Sequence, residues 1–100
     1  MDPDLPIFQI ADVVVSTAGH DKDKWFYVIK TEDNYLYLVN GKDRTLEKPK
    51  RKKLKHAVKV LRSETRVAEK ILSGDKVLNS ELRRDLAYMD RILQAKNLGG

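Results

Sequence analysis

The sequence predicts a mainly β protein, a small antiparallel barrel followed by two short C-terminal α-helices. Three observations carry this expectation. Between Ile10 and Val39 the chain is rich in β-branched and aromatic residues, which suit a pleated, half-buried surface. The segments that hold them are short and joined by tight turn signals, too tight for the long crossovers of a parallel sheet. After Arg62 the apolar residues switch to helical spacing.

In chain order, Met1–Gln9 is an expected leader, with Pro3 and Pro6 opposing regular structure and Ile7 and Phe8 free to tuck against the barrel as a lid. Ile10–Thr17, with Val13, Val14 and Val15 in succession, reads as the first strand. Ala18 to Asp23 is a turn in which Gly19 takes positive φ. Lys24–Thr31 is the second strand. Its three successive aromatics, Trp25, Phe26 and Tyr27, require apolar load on both faces. Glu32-Asp33-Asn34 turns into a third strand, Tyr35–Val39, and Asn40-Gly41 is the strongest short turn signal in the chain. Asp43–Lys48 is expected to pair briefly as a fourth strand anchored by Leu46, and Ala57–Leu61 returns as the closing strand. Alternation places Phe26, Val28, Leu36 and Leu38 inward and Trp25, Tyr27, Tyr35 and Tyr37 outward. Ser63 is the expected N-cap of a first helix carrying Val67, Ala68, Ile71 and Leu72, and Gly74 ends it. Asn79-Ser80 opens a second, with one stripe of Leu82, Leu86, Met89 and Leu93, and Arg83, Arg84 and Arg91 off the stripe. Asn97–Gly100 reads as a fraying end. The organisation is a leader over 1–9, a barrel over 10–61 that includes a basic arm at 48–56, and a helical extension over 62–100.

One hundred residues suffice for one domain with a modest core. Cysteine is absent, so disulfides and thiolate metal sites are excluded. No apolar run approaches the roughly 20 residues that cross a bilayer. An acidic, proline-bearing N-terminus is unlike a signal peptide, and a cytoplasmic location without membrane partners is expected.

Charge is unevenly distributed. Residues 1–46 carry a net −3, whereas Glu47–His56 carries +5 and 57–100 carries +3. The excess begins abruptly at Lys48 and continues through Lys50, Arg51, Lys52, Lys53 and Lys55 to His56, with Pro49 favouring extended backbone at Lys48. Such a run is either a solvated face or a polyanion-binding arm, and its density favours contact with phosphate, which gives affinity without reading sequence. His20, Lys22 and Lys24 at the neighbouring turn extend the expected contact set. Arg51 is the strongest single candidate, because its planar fork grips phosphate bidentately or stacks on a base. Outward aromatics, Trp25 among them, are candidates for stacking on unpaired bases, with core packing as the plainer role. His20 and His56 are too isolated for a metal site, and His56 is expected to donate a hydrogen bond to RNA or solvent. No nucleophile–base pattern, phosphate loop or paired carboxylate points to an enzyme, and no cofactor or small-molecule substrate is implied.

The stretch Val13-Val14-Val15-Ser16-Thr17-Ala18-Gly19-His20-Asp21-Lys22, followed by an aromatic–valine strand, resembles the KOW motif of large-subunit ribosomal proteins and transcription elongation factors. Together with Gly41-Lys42 and the run Lys48–His56, it is similar to the small bacterial KOW-domain RNA-binding proteins, themselves akin to KOW-type large-subunit ribosomal proteins of archaea and eukaryotes. The resemblance covers Phe8–His56, and Asn79–Leu86 more loosely. It implies an SH3-like five-stranded barrel and RNA binding, with ribosomal RNA or the ribosome as partner and ribosomal proteins as possible neighbours. The chain departs from the motif at two glycines. Asp23 follows the lysine where glycine is usual, and Ala11 precedes the first strand where glycine is frequent. His20 takes the place of the usual basic residue after the turn glycine.

The function expected from the sequence is therefore RNA binding through a basic arm docked on phosphates. The alternative is a protein-interaction module of the translation or transcription machinery, using the aromatic barrel face and the Leu82–Leu93 stripe.

Overall fold

The structure is a computed structural model and describes residues 7–99. Five strands form one antiparallel sheet: β1 (Asp12–Ser16), β2 (Trp25–Glu32), β3 (Tyr35–Val39), β4 (Lys50–Lys53) and β5 (Ala57–Arg62). Their order is β4-β3-β2-β1-β5, so the last strand returns to pair with the first. A single 3-10 turn, Leu54–His56, links β4 to β5. Two helices follow, α1 (Arg66–Ser73) and α2 (Asn79–Gly99). The first four strands are joined by turns and short loops, as β-branched and aromatic density between turn signals predicts. The expected closure into a barrel is not completed by hydrogen bonds. β4 and β5 stand at opposite edges of an open sheet.

The sheet carries a buried apolar cluster on each face. One face packs Val14, Phe26, Val28, Leu36, Leu38 and Ala57 together, and Phe8 is buried among them as the lid that the sequence suggests. Ile7 beside it stays exposed. The remainder of the expected leader, Met1–Pro6, lies outside the described residues. The other face gathers Val13, Tyr27 and Val39 beneath Val67, Ala68, Leu82, Leu86 and Met89 of the helices. Phe26, Val28, Leu36 and Leu38 are thus the inward set, as alternation predicts.

Four sequence expectations change. The fourth strand is Lys50–Lys53 and not Asp43–Lys48, because the side-chain carbonyl of Asn40 collects the amides of Lys42 and Arg44, both at 3.0 Å, and holds that segment in turns. The basic arm is therefore part of the sheet. Tyr27 is not on an open face: helices cover it, and its hydroxyl joins Ser63, Thr65 and Asp85 in a buried polar network that pushes the phenol's pKa upward, chiefly through burial and the hydrogen bond to Asp85. The N-cap of α1 is Thr65 rather than Ser63, whose hydroxyl is drawn into that network. Helix α2 is long, running through the expected fraying end to Gly99, and its stripe residues Leu82, Leu86 and Met89 are buried with Leu93 partly so. Gly74 ends α1 at φ 75°, in the left-handed region, as expected.

Candidate nucleic-acid interface

The turn between β1 and β2 is tightly laced. The carbonyl of Ser16 accepts from the Asp23 amide at 2.8 Å, and the Asp21 carbonyl accepts from the Lys24 amide at 3.0 Å. Gly19 sits at φ 85° and Asp23 at φ 72°. The lacing folds the Asp21 side chain inward, away from solvent.

There it meets Lys52. The Lys52 ammonium donates to Asp21 Oδ1 at 2.5 Å, to Ser16 Oγ at 2.7 Å and to the Ala18 carbonyl at 2.7 Å. Ser16 Oγ in turn donates to Asp21 Oδ1 at 2.7 Å. Both charged side chains are nearly buried, at 7% and 11% exposure. Burial pushes the Asp21 carboxyl up, but the hydrogen bonds from Lys52 and Ser16 and the lysine's charge outweigh it and hold the carboxyl below its ordinary value. From its place in the basic run, Lys52 is expected among the phosphate-binding cations. The structure assigns its ammonium to Asp21 instead, because alternation along β4 turns every second side chain into the fold.

Around this pair opens a cleft of about 290 Å³, bounded by Gly19, His20, Lys24, Asp43, Arg44 and Lys50. Its second carboxylate, Asp43, is bridged by Lys24 at 3.0 Å, and that hydrogen bond holds the Asp43 carboxyl low. Both acids at the cleft are therefore neutralised. Arg44, Lys50 and His20 have no carboxylate partner among the described residues. Arg44 is absent from the sequence-derived set. The signal for it is the Asn40-Gly41 turn, which carries the chain back beside the Gly19 loop.

The other side chains of β4 face the opposite way. Arg51 stands opposite Tyr37 and Lys53 opposite Tyr35 in the ladder. The Arg51 guanidinium carbon lies 3.5 Å from the centre of the Tyr35 ring. Lys30 of β2 covers Tyr37 at 5.0 Å, placed there by a bulge between Val28 and Lys30. Glu32 is the acid of this surface, 3.4 Å from Arg51 and 3.7 Å from Lys30. Lys53 and Lys55 are exposed and without a carboxylate partner among the described residues.

The predicted contact residues thus divide. His20, Lys24 and Lys50 meet at the cleft, whereas Arg51 and Lys53 share the aromatic surface. Lys22 and Lys48 are exposed and outside the cleft lining. Trp25 is half-buried against the helix-facing core, in a hollow whose acids Asp23, Asp43 and Asp90 balance Lys24, Lys42 and Arg83. His56 is half-buried at the end of the 3-10 turn, and its carbonyl accepts from the Thr17 amide at 2.9 Å. No family model matches this chain, and no curated protein matches it. No helix of the described residues is long and apolar enough to cross a membrane.

Asp23 carries a testable strain. Its exposed side chain makes no hydrogen bond among those of the described residues, while its φ of 72° suits glycine. Asp23→Gly is expected to stabilise the fold by about 0.5–1 kcal/mol, since left-handed backbone penalises a Cβ. Urea denaturation checks this, and a loss of stability would contradict it.

Proposed function

We propose that this chain binds RNA, docking phosphates on the cationic cleft and on the outward cations of β4 and the 3-10 turn. One observation carries the reading. Arg44, Lys50 and His20 converge on a concave site whose carboxylates are already occupied by Lys24 and Lys52. Such a site presents uncompensated positive charge to a polyanion, and phosphate contacts of this type supply affinity without sequence readout.

We further propose an SH3-like KOW barrel acting in the cytoplasm on ribosomal RNA or the ribosome. In support, the two positions at which the motif would carry glycine, Ala11 and Asp23, adopt φ of 75° and 72°. The motif's glycines and this chain's backbone thus ask for the same conformation. The return of β5 to pair with β1 accords with the same reading.

The test is binding to ribosomal subunits and to an unrelated structured RNA across a salt series, with a variant in which Arg44, Lys50, Lys53 and Lys55 become Ala and Lys52 is retained. The wild type is expected to weaken steeply with salt. The log–log slope drops by roughly 0.7–0.9 for every phosphate left unneutralised, so the variant's slope falls by up to about 3.6. Preference for subunits supports the ribosomal role. Absence of binding at low salt sinks the reading. The protein-interaction alternative is favoured by a shallow apolar groove of about 250 Å³ lined by Leu61, Met89 and Ile92 with exposed Tyr88, and its signature is binding insensitive to salt.

A further inference from the structure

Beside Tyr35 a hollow of about 360 Å³ is lined by Asn34, Tyr35, Lys53, Leu54 and Lys55. It lies at the end of the sheet where the β2–β3 turn meets the 3-10 turn, joined by a hydrogen bond from the Leu54 amide to the Asn34 carbonyl at 2.9 Å. Its composition is specific in kind. Tyr35 brings an aromatic side chain to the lining and Leu54 is apolar. Asn34 supplies an amide that both donates and accepts. The two cations have no carboxylate partner among the described residues, and no carboxylate lines the hollow.

Arg51 is not part of this lining. Its guanidinium packs on the Tyr35 ring at 3.5 Å and is tied to Glu32 at 3.4 Å, so the ring is held in place from outside the hollow. An aromatic wall fixed by a stacked guanidinium is preorganised, and a planar guest then loses less on binding.

We propose that this hollow seats an unpaired nucleobase of the bound RNA against the Tyr35 ring, with Lys53 and Lys55 on the flanking phosphates. The inference rests on the RNA-binding reading and narrows it to RNA that offers single-stranded nucleotides. A flat π-surface bordered by bare cations matches a guest that is flat and carries negative charge on both sides, which is a nucleotide within a strand. In duplex RNA the bases are stacked inside the helix and do not reach such a wall, whereas bases in loops and bulges do. Stacking tolerates any base, so this site selects for strandedness more than for sequence.

The decisive comparison uses the full chain with three dye-labelled probes in low salt: a short oligouridylate, an abasic ribose-phosphate strand of the same length, and a blunt-ended RNA duplex, which offers no unpaired base and is expected to bind no more tightly, phosphate for phosphate, than the abasic strand. The phosphate count is equal in the first two, so their ratio isolates the base. Oligouridylate is expected to bind about ten-fold more tightly than the abasic strand, the size of one base–aromatic stack. Tyr35→Leu is expected to bring that ratio close to one, and a circular dichroism spectrum and urea midpoint matching the wild type show that the variant is folded. Tyr35→Phe keeps the ring and is expected to keep the ratio. Equal binding of oligouridylate and abasic strand by the wild type overturns the nucleobase site and leaves phosphate docking intact. A ratio that survives Tyr35→Leu overturns it too. Failure to bind any of the three probes removes phosphate docking itself, and the base site with it.

Discussion

Replacing Lys52 with Met is expected to destabilise the protein by about 3–5 kcal/mol, the usual cost of leaving one member of a buried ion pair uncompensated. Methionine reproduces the side chain as far as Cε, so loss of packing is not the main cause. The cause is Asp21, whose Oδ2 is already buried without a hydrogen-bond partner and whose Oδ1 depends on Lys52 and Ser16. The loss has a pH signature. In the wild type the Asp21 carboxyl is held low. The stability it contributes is therefore fully present above the unfolded value of about 3.9 and is lost as pH falls through the lower folded value. In Lys52→Met the same carboxyl is buried without its cation, so protonation relieves the variant. The gap between the two proteins is expected to be widest near neutral pH and to narrow as pH falls, first through the variant carboxyl's burial-raised value and then through the wild type's lowered one. Adding Asp21→Asn to Lys52→Met restores part of the loss, because no charge then remains buried. Urea denaturation at neutral and acid pH reads all three outcomes, and a gap independent of pH would contradict the assignment. There is a practical corollary. A charge-removal variant of the basic run that includes Lys52 confounds unfolding with weakened binding.

Gly41→Ala is expected to cost about 3 kcal/mol or more, combining the 1–2 kcal/mol of left-handed backbone with a further 1–3 for a forced shift of packed structure. Gly41 has φ 77°, and a Cβ there falls 2.1 Å from the Asn79 carbonyl oxygen and 3.1 Å from the Leu82 Cβ. The obstacle is backbone, so it does not rotate away. Gly74 is the internal control. Its φ of 75° is nearly the same, but nothing lies within 4 Å of the position a Cβ would take. Gly74→Ala thus reports the conformational cost alone, and the difference between the two variants measures how closely the Asn40–Gly41 turn abuts α2. Equal losses would mean that helix and turn are less closely packed than described. The same junction holds the cleft in place. Arg83 donates to the Gly41 carbonyl at 2.5 Å, and Asn79 Oδ1 accepts from the Leu46 amide at 2.9 Å. Arg44 lies within this clamped segment and Lys50 follows it in the chain.

What the sequence disclosed followed from local rules. Period-two alternation identified Phe26, Val28, Leu36 and Leu38 as one face, and helical spacing identified Leu82, Leu86 and Met89 as another, because both patterns repeat within one element. What it withheld depended on partners distant in the chain. Nothing near Lys52 reveals Asp21, 31 residues away, so a buried lysine looked like its exposed neighbours. Tyr27 alternates with Phe26 and so reads as outward. That is geometrically correct, yet Asp85, 58 residues later, comes to cover it. The basic run read as an arm because lysine has little strand preference. Its pairing with Tyr35 and Tyr37 supplies the missing reason, since cation and ring stabilise each other across the ladder. Arg44 is not legible in the sequence because a turn signal gives the position of a bend but not what the bend is brought beside.

The two apolar clusters on either side of the sheet bear on modularity. A secondary-structure boundary falls near Arg62, and a graft or truncation made there would seem to free a self-contained β unit. It would in fact strip the cover from Val13, Tyr27 and Val39, all of which are fully buried, and leave the Tyr27 hydroxyl without Ser63, Thr65 and Asp85. Strands and helices are therefore inherited as one piece. Transplanting the cationic surface into another protein requires carrying α1 and α2 along with it.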